Sequence, residues 1–187
     1  MISEPDNGNP SAAAPVLWIT GLASSGKSTL AARVLTELRS QGLRPLLLDG
    51  DAVRHALDHE QEERHDVSER KRRAWRIARL ARLVSEQGIP VVVATISLFH
   101  EVQSWTRAAC PRYAEVVLVA DLANLHARKP DVYGRADSDQ PVHVVGRDIA
   151  AEFPKAPELL IRQTFDHQSL DRHCAQVMVL WESLWTT

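Results

Sequence analysis

Residues 21–29 read GLASSGKST and follow directly on an apolar run, Val16-Leu17-Trp18-Ile19-Thr20. Gly21, then Leu22, Ala23, Ser24 and Ser25, then Gly26-Lys27-Ser28-Thr29 fit the spacing G-x-x-x-x-G-K-[ST], the P-loop pattern. That spacing has meaning where a strand runs into the glycine turn and a helix leaves it, which the flanking residues predict. Backbone N–H groups in such a turn, backed by the start of the helix, surround phosphate oxygens. Lys27 adds a point charge toward the β- and γ-phosphates, and Ser28 offers a hydroxyl to Mg²⁺. Residues 21–29 therefore predict a bound nucleotide with Mg²⁺ beside it. They leave the phosphoryl acceptor open.

Beyond the loop, apolar runs at 45–48, 90–95 and 114–119 share the continuous pattern of the first, as strands buried on both faces of a parallel sheet do. Residues 159–162 form a weaker fifth run. Helical patterns at 27–40, 68–87, 97–109, 121–128 and 169–184 alternate with them, and Gly42 and Gly88 stand where helix C-caps favour glycine. Strand alternating with helix predicts a three-layer α/β P-loop NTPase fold with a parallel sheet and right-handed crossovers. Ligands of such sheets bind at the carboxyl ends of the strands. Besides the loop, those ends carry Asp49-Gly50-Asp51, Ser97 and Asp121. Residues 129–157 are rich in Pro, Gly and Asp without clear period, and a loop of that length predicts a lid. Residues 1–14 are expected to be a disordered leader, and 15–187 a single kinase domain.

Composition narrows the function classes. The chain has 187 residues and a formal charge of −2, unlike a generally basic nucleic-acid binder. Acids gather in Glu60, Glu62, Glu63 and Asp66, bases in Arg70-Lys71-Arg72-Arg73. Cys110 and Cys174 make neither a disulfide framework nor a metal set. No apolar stretch approaches the ~20 residues of a membrane span, and the N-terminus lacks the charge and apolar core of a signal peptide. The expectation is a soluble cytoplasmic protein that takes small-molecule nucleotides and neither nucleic acid nor membrane.

The segment LLLDGDAVRHAL, residues 46–57, supplies acceptor chemistry. Asp49 and Asp51 flank a glycine at a strand end, where one carboxylate can orient or deprotonate a hydroxyl and the other can hold Mg²⁺ through water. Arg54, three residues after Asp51, shares a helix face with it and suits an anion. An Asp-Gly turn and a helix cap are the plainer reading of the same residues. In the helix that follows, Arg72, Arg76 and Arg79 make a basic face, expected to be solvated and paired with the acids of 60–66. Ile77, Leu80, Ala81 and Val84 make the buried face.

WITGLASSGKSTLA (18–31), LDGDAVRHAL (48–57) and ISLFHEV (96–102), in this order, resemble the adenylyl-sulfate (APS) kinases, which move the γ-phosphoryl of ATP to the 3′-hydroxyl of adenylyl sulfate. The likeness runs from about Trp18 through Gly146-Arg147-Asp148 to APELLI, ending at Ile161. It implies that Asp51 and Arg54 bind the acceptor with Asp51 as the base, that Arg70 contacts the acceptor, and that Ile96 and Ser97 lie beside the transferred group; Asp49 joins the acceptor side and Mg²⁺ on the reading of residues 49–51 above. It also implies that Tyr133, Arg135 and Gly146 belong to the lid; members of that family are often dimers, so a homodimer is the expected partner state. The acceptor side departs from the family pattern. His65 replaces a stacking phenylalanine, Arg73 an asparagine, KPDVY (129–133) a longer DPKGLY, and Val144-Val145-Gly146 an FTG. ATISLF and VVG also resemble a branch that includes cytidine diphosphoramidate kinases. Another nucleotide conjugate is therefore the alternative acceptor, and a non-catalytic nucleotide-binding regulator is the alternative of another class.

Overall fold

The computed structural model describes residues 13–57, 67–128, 130, 150–166 and 168–186. Strands β1 (Val16–Gly21), β2 (Leu46–Asp49), β3 (Val91–Ala94), β4 (Tyr113–Val119) and β5 (Leu159–Arg162) form one sheet. Helices α1 (Lys27–Ser40), α2 (Gly50–Leu57), α3 (Val67–Glu86), α4 (His100–Ala109), α5 (Leu122–Arg128) and α6 (Ser169–Ser183) connect or follow them. The strand order is β2-β3-β1-β4-β5, and every pairing is parallel. Val16 sits opposite Val91 on one side and Tyr113 on the other, which fixes β1 at the centre.

Central position explains the composition. Alternate residues of a strand point to opposite faces, so a strand covered on both must be apolar throughout. Leu17 and Ile19 pack with Leu30, Val34 and Leu38 of α1 and with Val177 and Trp181 of α6. Val16 and Trp18 face the other way, onto Ala74, Ile77, Ala78 and Ala81 of α3 and Val102 of α4. Edge strands β2 and β5 are less buried, which is why the run at 159–162 reads weakly. Each fully buried Val, Leu or Ile contributes about 1.5–3 kcal/mol, so these two layers dominate stability.

The caps fall where glycine was expected. Gly42 has φ 83° and Gly88 φ 74°. Leu43 N–H donates to Leu38 C=O at 3.0 Å, and Ile89 N–H to Val84 C=O at 3.3 Å, the bonding pattern that closes a helix through a left-handed residue.

Two expectations need correction. The helix predicted from Ser97 starts at His100, because the Glu152 carboxylate accepts the His100 N–H at 2.6 Å and caps α4 from a distant segment. Ser97 stays on the non-helical stretch between β3 and α4. Residues 50–57 form a helix, as the shared face of Asp51 and Arg54 implies. Ala13 and Ala14, assigned to the leader, are buried. Ala14 N–H donates to Ser85 C=O at 2.9 Å, and Ser85 Oγ donates back to Ala14 C=O at 2.5 Å. Of the lid interval, residues 130 and 150–157 are described; there the Gln103 side-chain amide holds Glu152 C=O at 2.8 Å.

Candidate active site

Parallel strands bring their C-terminal ends to one edge of the sheet, and a cleft of about 520 Å³ opens there. The loop after β1 forms its first wall. Leu22 C=O accepts Ser25 N–H at 3.3 Å and Lys27 Nζ at 2.7 Å. The loop thus closes on itself, and Lys27, 8% exposed, is held inside the curve. Ser24 and Gly26 take left-handed backbone, at φ 61° and 93°. Such steps turn N–H groups to one side and leave the concavity that phosphate oxygens fill. Gly26 is the N-cap of α1 without a capping side chain, so the positive end of the helix faces the cleft.

Gly21 answers a different need. A Cβ on it would stand 2.4 Å from the Leu118 carbonyl oxygen, because β4 runs hard against the end of β1. Ala23, Ser24, Gly26, Lys27, Ser28 and Thr29 line the cleft. Gly21, Leu22 and Ser25 are turned into the protein, Ser25 completely.

Asp49 and α2 make the second wall. Asp49 Oδ1 accepts Asp51 N–H at 3.0 Å and Ala52 N–H at 3.3 Å, capping the helix. Its Oδ2 accepts Ser28 Oγ–H at 2.7 Å. The plain reading and the chemical reading of Asp49 coexist in one carboxylate. A hydroxyl and a carboxylate at this separation are the oxygen donors Mg²⁺ takes together with waters and phosphates, so the residues fit that ion. Among the described residues no cluster of three or more His, Cys, Asp or Glu offers a protein cage for a metal. Asp51 is largely exposed at the cleft, its Oδ1 3.1 Å from an Arg54 guanidinium nitrogen. An exposed pair of this kind adds little stability; its consequence is orientation.

Ile96 and Ser97 come from the third side, after β3. Thr20 Oγ donates to Ile96 C=O at 3.4 Å. Ser97 lines the cleft with a buried Oγ that has no hydrogen-bond partner among the described residues. A buried hydroxyl left so is costly, and an oxygen of a bound molecule would satisfy it.

Helix α3 closes the fourth side with Arg70 and Arg73. Burial, and next the charge of Arg73, lower the proton affinity of Arg70 below that of an ordinary guanidinium. The shift marks positive charge gathered where water is scarce. Behind them the buried Glu69 carboxylate lies 3.6 Å from Arg73 Nε and 2.9 Å from Arg72.

Twelve predicted positions therefore meet in one cleft, counting the six loop residues with Asp49, Asp51, Arg54, Arg70, Ile96 and Ser97. His65, Tyr133, Arg135, Gly146 and Lys129 lie outside the described residues. Asp121 is exposed and does not line the cleft; its carbonyl accepts Asn124 and Leu125 N–H at the start of α5. Arg128, absent from the expected set, does line it, with its guanidinium carbon 4.4 Å from the centre of the Phe165 ring. Its place at the end of the helix after β4 was the available signal. Glu69 carried none, since a carboxylate early in a basic helix reads as a surface charge.

Residues 13–162 match the sequence model of the family described as adenylylsulphate kinase. The chain is 37% identical to the adenylyl-sulfate kinase of Bacillus velezensis over 149 residues, 78% of this chain and 75% of that one. It is 32% identical to the cytidine diphosphoramidate kinase of Campylobacter jejuni over 142 residues, 75% of this chain and 82% of that one. In structure it resembles the Mycobacterium tuberculosis APS kinase in complex with AMPPNP and APS, with TM-score 0.78 and 27% identity over 91% of this chain and 98% of that chain. With its parallel five-stranded sheet, glycine loop and acidic second strand end, matched by a family model over most of its length, the chain belongs to the adenylylsulphate kinase family of phosphotransferases.

Proposed function

We propose that the protein transfers the γ-phosphoryl of ATP to the ribose 3′-hydroxyl of adenylyl sulfate, giving 3′-phosphoadenylyl sulfate for sulfate assimilation. The observation that carries this reading is the convergence of the glycine loop, the Ser28–Asp49 pair, Asp51 with Arg54, and Ser97 on one cleft. The loop and the start of α1 bind the ATP phosphates, and Lys27 offsets charge on the β- and γ-phosphates. Ser28 and Asp49 would hold Mg²⁺, which when bound neutralises phosphate charge during transfer.

Asp51 orients the 3′-hydroxyl and accepts its proton as the oxygen attacks the γ-phosphorus. The new O–P bond forms while the bond to the bridging oxygen breaks, and ADP leaves. Phosphoryl transfer of this kind depends chiefly on alignment and charge stabilisation, so Ser97 needs only to donate a hydrogen bond and not to form a covalent stop. Arg54 and Arg70 hold the anionic 5′ substituent of the acceptor.

The likeness to the Campylobacter jejuni protein favours a second reading, in which cytidine diphosphoramidate or a similar conjugate is the acceptor. Mg²⁺-dependent ADP formation on adenylyl sulfate and on cytidine diphosphoramidate separates the two. Adenylyl sulfate is expected to have the higher kcat/KM by at least about tenfold, the size of effect from one well-matched polar contact. The reverse order would transfer the assignment to the cytidine conjugate. ATP binding without turnover of either would leave a nucleotide-binding regulator.

A further inference from the structure

Helix α4 begins without a cap of its own. Its N-cap, Phe99, makes no side-chain hydrogen bond, yet the first turn of a helix leaves four N–H groups without intrahelical partners. Glu152 takes the place from 52 residues away, its carboxylate accepting the His100 N–H at 2.6 Å. Its own backbone N–H donates to Leu98 C=O at 3.3 Å. Residue 152 therefore grips the chain on both sides of Phe99. Two further bonds seat it. The buried Gln103 amide donates to Glu152 C=O at 2.8 Å, and His100 Nε2 donates to Phe153 C=O at 2.8 Å.

The gripped stretch is part of the cleft wall, which Ser97, Leu98 and Phe99 all line. Ser97 and Leu98 lie between β3 and α4, outside both regular elements, so no ladder of backbone bonds fixes them. Upstream, Thr20 Oγ reaches Ile96 C=O at 3.4 Å, a long tether. Leu98 packs with Leu22 of the glycine loop, and Phe153 joins the same apolar cluster. Apolar contact pulls the stretch inward but is non-directional. The bonds to residue 152 supply direction. Ser97 is 6% exposed, and its Oγ has no partner among the described residues, so its aim depends on the backbone that follows it.

We infer that Glu152 is a positioning residue, whose clasp about Phe99 holds Ser97 Oγ where the transferred phosphoryl passes. Glu152 does not itself line the cleft, and its side chain is 48% exposed. It acts through the stretch that it holds. This rests on the kinase reading of the same cleft, in which Ser97 donates a hydrogen bond to the transferred group. A misplacement of about 1 Å at a reacting centre can cost about 10²-fold in rate, so one capping bond is enough to matter.

The test uses the full chain with Glu152→Ala, Glu152→Gln, Ser97→Ala and the Ser97→Ala, Glu152→Ala pair. Ala removes the acceptor; Gln keeps an oxygen able to take the same N–H. The backbone bonds of residue 152 survive both substitutions. Turnover is measured well below Tm, on whichever of adenylyl sulfate and cytidine diphosphoramidate the wild type uses. Amide hydrogen exchange is measured alongside, without substrate.

Glu152→Ala is expected to lower kcat about tenfold with KM for ATP within about twofold, and Glu152→Gln to recover most of the loss. Amides 97–101 should exchange faster in Glu152→Ala, and those of residues 21–40 at the wild-type rate. In the Ser97→Ala background, Glu152→Ala should slow turnover by less than about twofold, because the group it aims is gone. Full additivity of the two changes, unchanged kcat, unchanged exchange, or a Glu152→Gln variant as slow as Glu152→Ala would each overturn the positioning role. Wild-type turnover would then leave the kinase reading standing. A wild type that turns over neither conjugate would refute the kinase reading, and exchange alone would decide the clasp: faster at 97–101 upholds it, unchanged overturns it.

Discussion

Gly21 and Asp49 show how much of the site rests on single atoms. Adding one methyl at Gly21 brings carbon to 2.4 Å from the Leu118 carbonyl oxygen and 2.9 Å from Ser25 Oγ. Backbone cannot yield there without parting β1 from β4, so Gly21→Ala is expected to destabilise by about 2–3 kcal/mol and to lower Tm by about 4–12 °C. Thermal unfolding checks it, and an unchanged Tm would mean that the two strands separate more readily than their pairing indicates. Asp49 unites two jobs, capping α2 through Oδ1 and meeting Ser28 through Oδ2. Asp49→Asn can still accept the helix N–H groups through its amide oxygen. It should therefore cost less than about 1 kcal/mol in stability while reducing turnover at least about tenfold by removing the charge facing Ser28. A loss of stability as large as the loss of turnover would reduce Asp49 to its capping role.

At the scale of elements, α6 carries a titration that its packing explains. His173 is 7% exposed, and its Nδ1 has no partner among the described residues. Burial, with a smaller push from Arg172, holds its pKa below the ordinary imidazole value. The unfolded chain then takes up the proton first as pH falls, so stability present above the unfolded pKa of about 6.5 is lost below it. His173→Gln should flatten the fall in Tm between about pH 7 and 5; an unaltered slope would assign that sensitivity elsewhere. The elements themselves were largely legible in the residues. Continuous apolar runs gave the central strands, because burial on both faces leaves no room for alternation, and Gly42 and Gly88 marked two helix ends. The start of α4 was hidden because its cap, Glu152, is 52 residues away from His100. Local sequence holds no trace of such a contact. For the same reason Ser97 read as helical, and Glu69 read as a surface charge until α3 was seen to bury it.

Across the whole molecule, stability and chemistry occupy different ends of the sheet. Glu115, near the start of β4, is 3% exposed; it accepts Tyr113 O–H at 2.8 Å and meets Arg107 at 2.9 Å. Arg107 also pairs with Glu158 just before β5, and Glu158 accepts the Glu115 N–H at 2.7 Å. Burial pushes the Glu158 carboxyl up, but the Arg107 hydrogen bond and backbone N–H groups outweigh it and hold the pKa below the ordinary value. Removing Arg107 strands a buried carboxylate, so Arg107→Met is expected to cost about 3 kcal/mol, with KM for ATP unchanged. A changed KM with intact stability would contradict this separation. The most direct test of the central claim follows the γ-phosphoryl itself. With γ-labelled ATP, Mg²⁺ and adenylyl sulfate, label is predicted on the ribose 3′-oxygen, and Asp51→Asn should slow its appearance about 10²–10⁴-fold while ATP affinity stays the same. Label arriving at the wild-type rate in Asp51→Asn, or found on another oxygen, would contradict the account.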